Sequence, residues 1–253
     1  MAACPESELT EIDCPAIHAL GVDGLLINFG TRLSEPANRA ALAFRAAVDE
    51  ADFPGLIETS TSLTSVYLRL DLMRASCGVL RQSLENMLRQ RDWYDASMPT
   101  GRKLWHVSTV FGTDIAPQLE EAANLAGLSP EDAIASICAT PLRVQTIGFA
   151  PGQPYLGELP LNWDIPRQTA LTPRVPVGAL VVAIRQMVLF SVTAPTGWRH
   201  VGQTAMRLFR PDAPDPFLLR PGDEVLFRPV TRKEYEHMRD HDPMGGAVSE
   251  RLV

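Results

Sequence analysis

The stretch from Leu142 to about residue 231 constrains the fold more than any other feature, because its apolar residues show no helical spacing. It consists of short runs rich in aliphatic and β-branched residues, separated by Gly and Pro turns. Such a succession predicts a β-barrel or a sandwich. The charged tail from Thr231 predicts a docking helix followed by a frayed end. The runs are LRVQTIGF, ALVVAIRQ, MVLFSVT, AMRLF and DEVLFRPV.

The first part of the chain has a different pattern. An apolar run at 22–30 predicts a strand, and Ser34 caps a helix whose apolar residues recur every three to four positions. Two further strands, GLIET and LTSVYLRL, precede a second helix at about 75–91. This order predicts a small open sheet with helices on one face.

The two patterns together predict an α+β protein of two domains. The first is a small α/β N-terminal domain over residues 1–95, and the second is a β-rich domain over 96–253. The segment YDASMPTGRK, at 94–103, is the predicted linker. Two short helices, one near 114–126 and one opened by SPEDA at 129–133, are expected before the β-rich stretch.

Composition limits the classes of partner. The net charge of −7 argues against nucleic acid or an anionic membrane. The longest apolar runs are shorter than the ~18 residues that a membrane span needs. The acidic start MAACPESELTEID has no basic segment followed by an apolar one, so a cytoplasmic location is expected. The four cysteines form no CxxC pair and the five histidines have no metal-ligand spacing, so no metal site is expected.

The second half is unusually rich in arginine. Between Pro160 and Arg210, six arginines stand against one acid, Asp164. The planar guanidinium fork suits carboxylates and phosphates, so an anionic small molecule is one expected ligand. The alternative is a solvated strand face whose counter-charges lie elsewhere in the fold. The arginines are Arg167, Arg174, Arg185, Arg199, Arg207 and Arg210.

Sequence signatures of catalysis are missing from this chain. It has no nucleophile elbow, zinc-protease motif, Walker loop or dinucleotide fingerprint. His200, which follows Trp198 in the arginine-rich half, is the histidine of most interest. The residues alone therefore indicate a binding domain for an anionic ligand.

The segment GFAPGQPYLGELP, at 148–160, packs three prolines and three glycines into thirteen positions and cannot be a helix interior. It resembles the GFxPGFxYLxxLP motif of the allophanate hydrolase subunit 1 family, also called the carboxyltransferase C/D domain. Further blocks resemble the same family in the expected order. They are GVDGLLINFG, VFGTDIAPQLEEAANLAGLSPEDAI, VPVGAL, APTGWRHVGQT and FLLRPGDEVLFRPVTRKEY.

The resemblance implies a cyclophilin-like β-barrel after the N-terminal domain. It also implies a subunit of an ATP-dependent amide or lactam hydrolase, of the 5-oxoprolinase or allophanate-hydrolase type, that is inactive alone. The implied partners are a sister subunit like allophanate hydrolase subunit 2 and a lactam-opening third subunit, with ATP as the cofactor. Two alternatives stay open: a KipI-like inhibitor of a sensor histidine kinase, and a carboxyltransferase component of a urea-carboxylase-like system.

The resemblance further implies a ligand-binding cleft in the barrel. Arg167 and Arg174 would hold a carboxylate or phosphate, and Gln186 would orient an amide. No catalytic base is assigned. The cleft residues are Gln153, Tyr155, Arg167, Arg174, Gln186, Trp198 and His200, and the turn residues are Gly148, Pro151, Gly152, Gly178 and Gly222.

The chain departs from the family pattern where chemistry is expected. A family histidine and tyrosine correspond to Ile137 and Leu142, and the second aromatic residue of the motif is Gln153. Thr172 stands where the family has an arginine, and Thr196 where it has a glycine. These changes leave the fold prediction intact and leave open an inactive or differently specific paralogue.

Overall fold

The structure is a computed structural model that describes residues 15–252. Contacts within the chain divide it into two units, one ending at Met98 and one beginning at Pro99. The division falls inside the predicted linker at 94–103. The elements of the first unit are β1 (Ala16–Leu20), β2 (Gly24–Asn28), α1 (Glu35–Glu50), β3 (Leu56–Ser62), β4 (Ser65–Leu70) and α2 (Cys77–Leu88).

The first unit is an antiparallel sheet in the order β1-β2-β4-β3 with two helices. The predicted strands and helices are confirmed, with β1 added at the edge. That strand escaped prediction because its last three residues are exposed and give no alternation of apolar and polar positions.

Helix α1 begins as the sequence predicts. Ser34 accepts a hydrogen bond from the Ala37 amide at 3.3 Å and so satisfies one of the free donors of the first turn. Phe44 is fully buried and packs against Phe29 and, edge to face, against Trp93. This aromatic cluster fixes the helix on the sheet.

The second unit is built around the strand Lys103–Phe111, which the sequence pattern did not single out. Its elements are β5 (Lys103–Phe111), α3 (Leu119–Leu125), α4 (Pro130–Cys138), β6 (Leu142–Ile147), β7 (Pro154–Gly157), β8 (Thr172–Val175), β9 (Ala179–Ala183), β10 (Gln186–Leu189), β11 (Ala194–Thr196), β12 (Arg199–Thr204), β13 (Glu224–Pro229), α5 (Arg232–His241) and β14 (Ala247–Arg251).

Seven of these strands close into a barrel in the order β12-β9-β10-β7-β6-β13-β5, with β5 pairing back to β12. The structure therefore confirms the α+β class and the barrel, and excludes the sandwich. Strands β8 and β11 form a separate two-stranded sheet. The helix predicted from SPEDA is α4, and Ser129 caps it by accepting from the Asp132 amide.

Two predictions for this unit are wrong. The run AMRLF forms no strand, and its Phe209 makes only an isolated bridge to Phe217. The tail is not frayed after its helix, because β14 pairs with β5 from Ala247 to Arg251. The GG pair at 245–246 has positive φ at both residues, so it provides the turn that returns the chain to the barrel.

The predicted turn glycines differ in whether their backbone conformation and the space around them require a residue without a Cβ. Gly178 has a φ of +80°, and a Cβ there would lie 2.2 Å from the Thr204 carbonyl oxygen. Gly152 and Gly222 also have positive φ. Gly148 lacks a positive φ, and a Cβ on it would meet no atom within 4 Å, so no local contact requires glycine there.

We predict that Gly178→Ala destabilises the protein by about 2–4 kcal/mol, because it combines a strained φ with a backbone clash. The matched control, Gly148→Ala, should stay within about 0.5 kcal/mol of the parent. Urea unfolding of both variants measures the difference. Equal stabilities would contradict the role given to Gly178.

Candidate functional site

The barrel carries a cavity of about 290 Å³ beside β7 and β10, which we call the aromatic cavity. The rings of Tyr155 and Trp198 meet edge to face, with centroids 6.2 Å apart. The Arg167 guanidinium lies 5.4 Å from the centre of the Trp198 ring, a cation–π contact. The cavity is lined by Phe149, Gln153, Tyr155, Arg167, Gln168, Leu171, Val188, Phe190, Pro195, Thr196, Gly197 and Trp198.

Gln153 supplies a directed polar group to this cavity. Its side chain is 1% exposed, and its Oε1 accepts a hydrogen bond from the Ser191 amide at 3.3 Å. Because the partner is an N–H donor, the other end of the amide is the nitrogen. Within the described residues this Nε2 makes no hydrogen bond. It is therefore available to donate to a bound carbonyl or carboxylate.

The segment at 148–160 is both a turn and a wall. The Gly148 amide donates to the Gln153 carbonyl at 3.0 Å, which closes the loop between β6 and β7. Strand β7 then begins at Pro154 and presents Tyr155 to the cavity. The stiff loop thus sets the position of both Gln153 and Tyr155.

A second cavity of about 590 Å³ lies on the same unit, and we call it the histidine cavity. The β8–β11 ribbon contributes to both cavities: Thr196 lines the aromatic cavity, while Thr172 and Arg174 line the second. The histidine cavity is lined by Asp114, Ile115, Pro117, Gln118, Thr172, Arg174, Pro176, Val177, His200, Gln203 and Tyr235.

His200 is 5% exposed, and burial lowers the pKa of its imidazole, although the Gly202 backbone and the Gln203 side chain oppose that shift. The ring is therefore neutral near pH 7. Its Nε2 is buried and has no hydrogen-bond partner. A buried polar atom without a partner costs roughly 1–3 kcal/mol, which makes this position a candidate for ligand contact.

A β-bulge places His200 and Gln203 in the same cavity. The pairing of β12 with β9 skips Val201, so side chains three positions apart come to share one face. The Gln203 Nε2 donates to the carbonyls of Val177, at 2.7 Å, and Thr204, at 3.1 Å. Its Oε1 is buried and has no partner.

Two glutamines connect the cavities. Gln118, in the histidine cavity, donates through Nε2 to the Oε1 of Gln168 at 2.8 Å. Gln168, in the aromatic cavity, donates in turn to the Trp198 carbonyl at 3.0 Å and to the Thr172 hydroxyl at 3.2 Å. This amide chain fixes the backbone that carries Trp198.

The structure distributes the seven predicted cleft residues over three places. Four of them line the aromatic cavity, two line the histidine cavity, and one lines neither. Gln186 is the last of these, since it is buried and donates to the Oε1 of Gln145 at 2.8 Å. The first group is Gln153, Tyr155, Arg167 and Trp198, and the second is Arg174 and His200.

Three glutamines in these cavities, Gln118, Gln168 and Gln203, were missed as site residues. Gln118 lies in the quoted block VFGTDIAPQLEEAANLAGLSPEDAI, which gives no sign of its contact with Gln168, and Gln168 stands outside the quoted motifs. Gln203 lies in the quoted block APTGWRHVGQT, but its place beside His200 depends on the bulge. A bulge has no reliable sequence signal.

The sequence left two interpretations of the six arginines, binding of an anionic ligand or pairing with acids elsewhere in the fold, and each interpretation fits some of them. Arg199 pairs with Glu121 at 2.8 Å and Arg185 with Glu158 at 3.3 Å, so these two have counter-charges elsewhere in the fold. Arg167 and Arg174 instead line the two cavities, and among the described residues neither forms an ion pair.

The departures from the family pattern fall into two groups. Ile137 and Leu142 are buried in the apolar core of the barrel unit and line neither cavity. Thr196 faces the aromatic cavity, and its hydroxyl accepts from the Trp198 amide at 3.1 Å. Thr172 is the acceptor for Gln168 in the amide chain.

We also searched the described residues for a metal site, a nucleophilic cysteine and a helix that could span a membrane. No group of three potential metal ligands occurs among residues 15–252. Burial raises the pKa of the Cys138 thiol to about 11, which suits a structural rather than a nucleophilic cysteine. None of the described helices is long and apolar enough to cross a bilayer.

Residues 15–219 match the family model described as "Carboxyltransferase domain, subdomain C and D". The chain belongs to this family. The resemblance found from the motifs is thus confirmed.

Curated relatives are similar over most of their length. The chain is 31% identical to the B subunit of 5-oxoprolinase from Bacillus subtilis (strain 168) over 88% of this chain and 96% of that protein. It is 29% identical to the B subunit of 5-oxoprolinase from Escherichia coli O157:H7, over 74% of this chain and 84% of that protein.

Solved structures share the fold. TTHA0988 is 33% identical with a TM-score of 0.69, over 82% of this chain, which spans only 40% of that longer chain. The urea carboxylase of Kluyveromyces lactis has a TM-score of 0.69 at 17% identity, over 94% of this chain and 24% of that one. At such identity the likeness concerns the fold alone.

We predict that acid weakens the fold through His200. Its folded-state pKa lies below the unfolded value of about 6.5, so the unfolded chain binds more protons as the pH falls below that value. The free energy of unfolding should then decrease by up to about 1.4 kcal/mol per pH unit until the folded-state pKa is reached.

Urea unfolding at a series of pH values measures this loss, and His200→Gln should flatten it. An NMR titration of the His200 ring in the parent protein gives an independent measurement. Asp223, whose pKa burial raises, contributes with the opposite sign and remains in both proteins. A ring that titrates at or above about pH 6.5 would contradict the prediction.

Proposed function

We propose that this chain is the substrate-holding subunit of an ATP-dependent hydrolase complex that opens the lactam ring of 5-oxoproline. The proposal rests on the family, on relatives named as the B subunit of 5-oxoprolinase that match this chain over most of their length, and on the aromatic cavity. One observation carries the proposal: the aromatic cavity contains both a guanidinium without an ion pair, that of Arg167, and an amide N–H donor without an acceptor, that of Gln153. Aromatic side chains form the walls around these two groups.

The chemistry of the cavity matches that of a small cyclic amide acid. Arg167 would hold the carboxylate, which an arginine binds through two parallel N–H donors. The Gln153 Nε2 would donate to the lactam oxygen. The flat ring would lie against Trp198 and Tyr155, and a cavity of about 290 Å³ is at the small end of ligand pockets.

The same cavity supports a division of labour between subunits. Among residues 15–252, its lining includes no carboxylate, histidine or cysteine that could act as base or nucleophile. This chain would therefore bind and orient the substrate, and hydrogen-bond donors on a rigid barrel would stabilise charge on the lactam oxygen. The sister subunit and a third subunit would supply the ATP site and the lactam-opening chemistry.

We predict that Arg167→Gln weakens the binding of 5-oxoproline to the assembled complex about tenfold or more, because it removes a charge-assisted contact to the carboxylate. Arg207→Gln is the matched control, since Arg207 is exposed and lines neither cavity. Steady-state kinetics of ATP-dependent glutamate release give the KM and kcat of both variants.

The proposed role requires a raised KM in Arg167→Gln and parent values in Arg207→Gln. A KM equal to that of the parent protein in both variants would show that the aromatic cavity does not bind the substrate. A complex that contains a sensor histidine kinase and releases no glutamate would favour the regulatory alternative instead.

A further inference from the structure

We propose that Phe149 is a substrate-contacting residue of the aromatic cavity, whose ring covers the methylene groups of a bound lactam. Because the substrate is taken to be 5-oxoproline, this inference rests on the proposed function. It gives the rim of the cavity a part in substrate selection, in addition to the polar contacts of Arg167 and Gln153.

Phe149 places an exposed aromatic ring at the aromatic cavity. Its exposed fraction is 73%, the largest among the phenylalanines of the described residues, and it makes no contact with another ring in that part of the chain. It lines the cavity together with Leu171, whose exposed fraction is 65%. Apolar surface of this kind gains free energy when a bound molecule removes it from water.

The backbone of Phe149 is strained. Its φ is +69°, in the left-handed region that a bulky side chain rarely adopts. Of the six non-glycine residues with positive φ in the described part of the chain, it is the one that lines either cavity. Strained residues persist where the surrounding structure holds them, and they cluster at sites of ligand contact.

The loop around Phe149 holds it in this conformation. The Gly148 amide donates to the Gln153 carbonyl at 3.0 Å, so the loop is closed on both sides of the strained residue. Gly152 fixes the loop from outside, since a Cβ there would lie 3.1 Å from the Leu208 carbonyl oxygen. The same loop also brings the Gln153 side chain to the cavity. One loop therefore supplies both an amide donor and an apolar ring to the same cavity.

The two kinds of group match the two parts of a lactam acid. In the proposed function, the carboxylate and the lactam oxygen are bound by Arg167 and Gln153. The ring methylene groups have no polar contact to make, and an aromatic ring at the rim provides them with an apolar one. A urea-type amide has no methylene groups, so contact with Phe149 favours the lactam over such a substrate.

The test compares Phe149→Ala, Phe149→Gly and Phe149→Tyr in the assembled complex, by steady-state kinetics of ATP-dependent glutamate release. We expect the first two variants to raise the KM for 5-oxoproline about fivefold to tenfold at parent kcat, because the lost contact is made equally in the ground and transition states. Phe149→Tyr keeps the ring and should stay within about twofold of the parent KM.

Two controls separate ligand contact from a structural role. Leu161→Ala removes a side chain that is 77% exposed and lines neither cavity, so it should keep the parent KM. In urea unfolding of the full-length chain, Phe149→Gly should unfold at a higher urea concentration than Phe149→Ala, because glycine adopts a positive φ without strain. The reverse order would contradict the strained conformation.

The inference is overturned if Phe149→Ala and Phe149→Gly both keep the parent KM. It is also overturned if they lower kcat at parent KM and release a sister subunit on gel filtration, since the ring would then contact a partner chain. Arg167→Gln separates the two proposals. A raised KM in Arg167→Gln with parent KM in Phe149→Ala contradicts the role of Phe149 alone, whereas a parent KM in Arg167→Gln contradicts the proposed function.

Discussion

The barrel unit depends on one strand, β5, which pairs along both of its edges. One edge pairs in parallel with β13, from Leu104 to Thr109. The other edge is divided: its first half pairs with β14, and Thr109–Phe111 pairs with β12. Because β12 is the far end of the strand order, this second pairing closes the sheet on itself. Closure leaves no open edge between β5 and β12 and satisfies their backbone groups.

Closure also determines where the two cavities can form. Strand β12 is fixed between β9 and β5, and its close approach to β5 requires Gly202, where a Cβ would lie 2.9 Å from a Thr109 methyl group. The bulge just before Gly202 then turns His200 and Gln203 to one side. The loop that follows β6 brings Gln153 and Tyr155 to the other cavity. Strands thus hold His200 and Gln203, while Gln153 and Arg167 lie on loops next to the barrel strands.

Much of the fold could be predicted from local pattern. Turn chemistry and β-rich runs indicated a barrel or a sandwich, the family resemblance indicated the barrel, and the Ser34 and Ser129 caps indicated two helix starts. The sequence predicts a frayed end where the structure has strand β14, because the exposed residues of that segment, such as Glu250, show no alternation of apolar and polar positions. It is a strand because β5 offers it a free edge. Pairing of that kind is a property of the tertiary structure and cannot be read from the segment.

The candidate site could be predicted only in part, for a similar reason. The motif at 148–160 and the block around Trp198 indicated three residues of the aromatic cavity, and the arginine-rich half indicated the fourth, Arg167. Gln186 has the right chemistry for an amide contact, but its partner is Gln145 on β6, on the far side of the intervening strand β7. The pairing of His200 with Gln203 depends on the bulge, which changes the alternation of side chains. The sequence indicates which side chains could bind a ligand, and the pairing register of the strands determines which of them lie in the same cavity.

The most direct test of the proposed function is affinity purification of this chain from its native cell, with mass spectrometry of the proteins that accompany it. The purified material is then assayed for release of glutamate from 5-oxoproline with and without ATP. We predict stoichiometric recovery of a sister subunit related to allophanate hydrolase subunit 2, and glutamate release that requires ATP. A chain that is recovered without such a partner, in material that releases no glutamate, would contradict the proposed function.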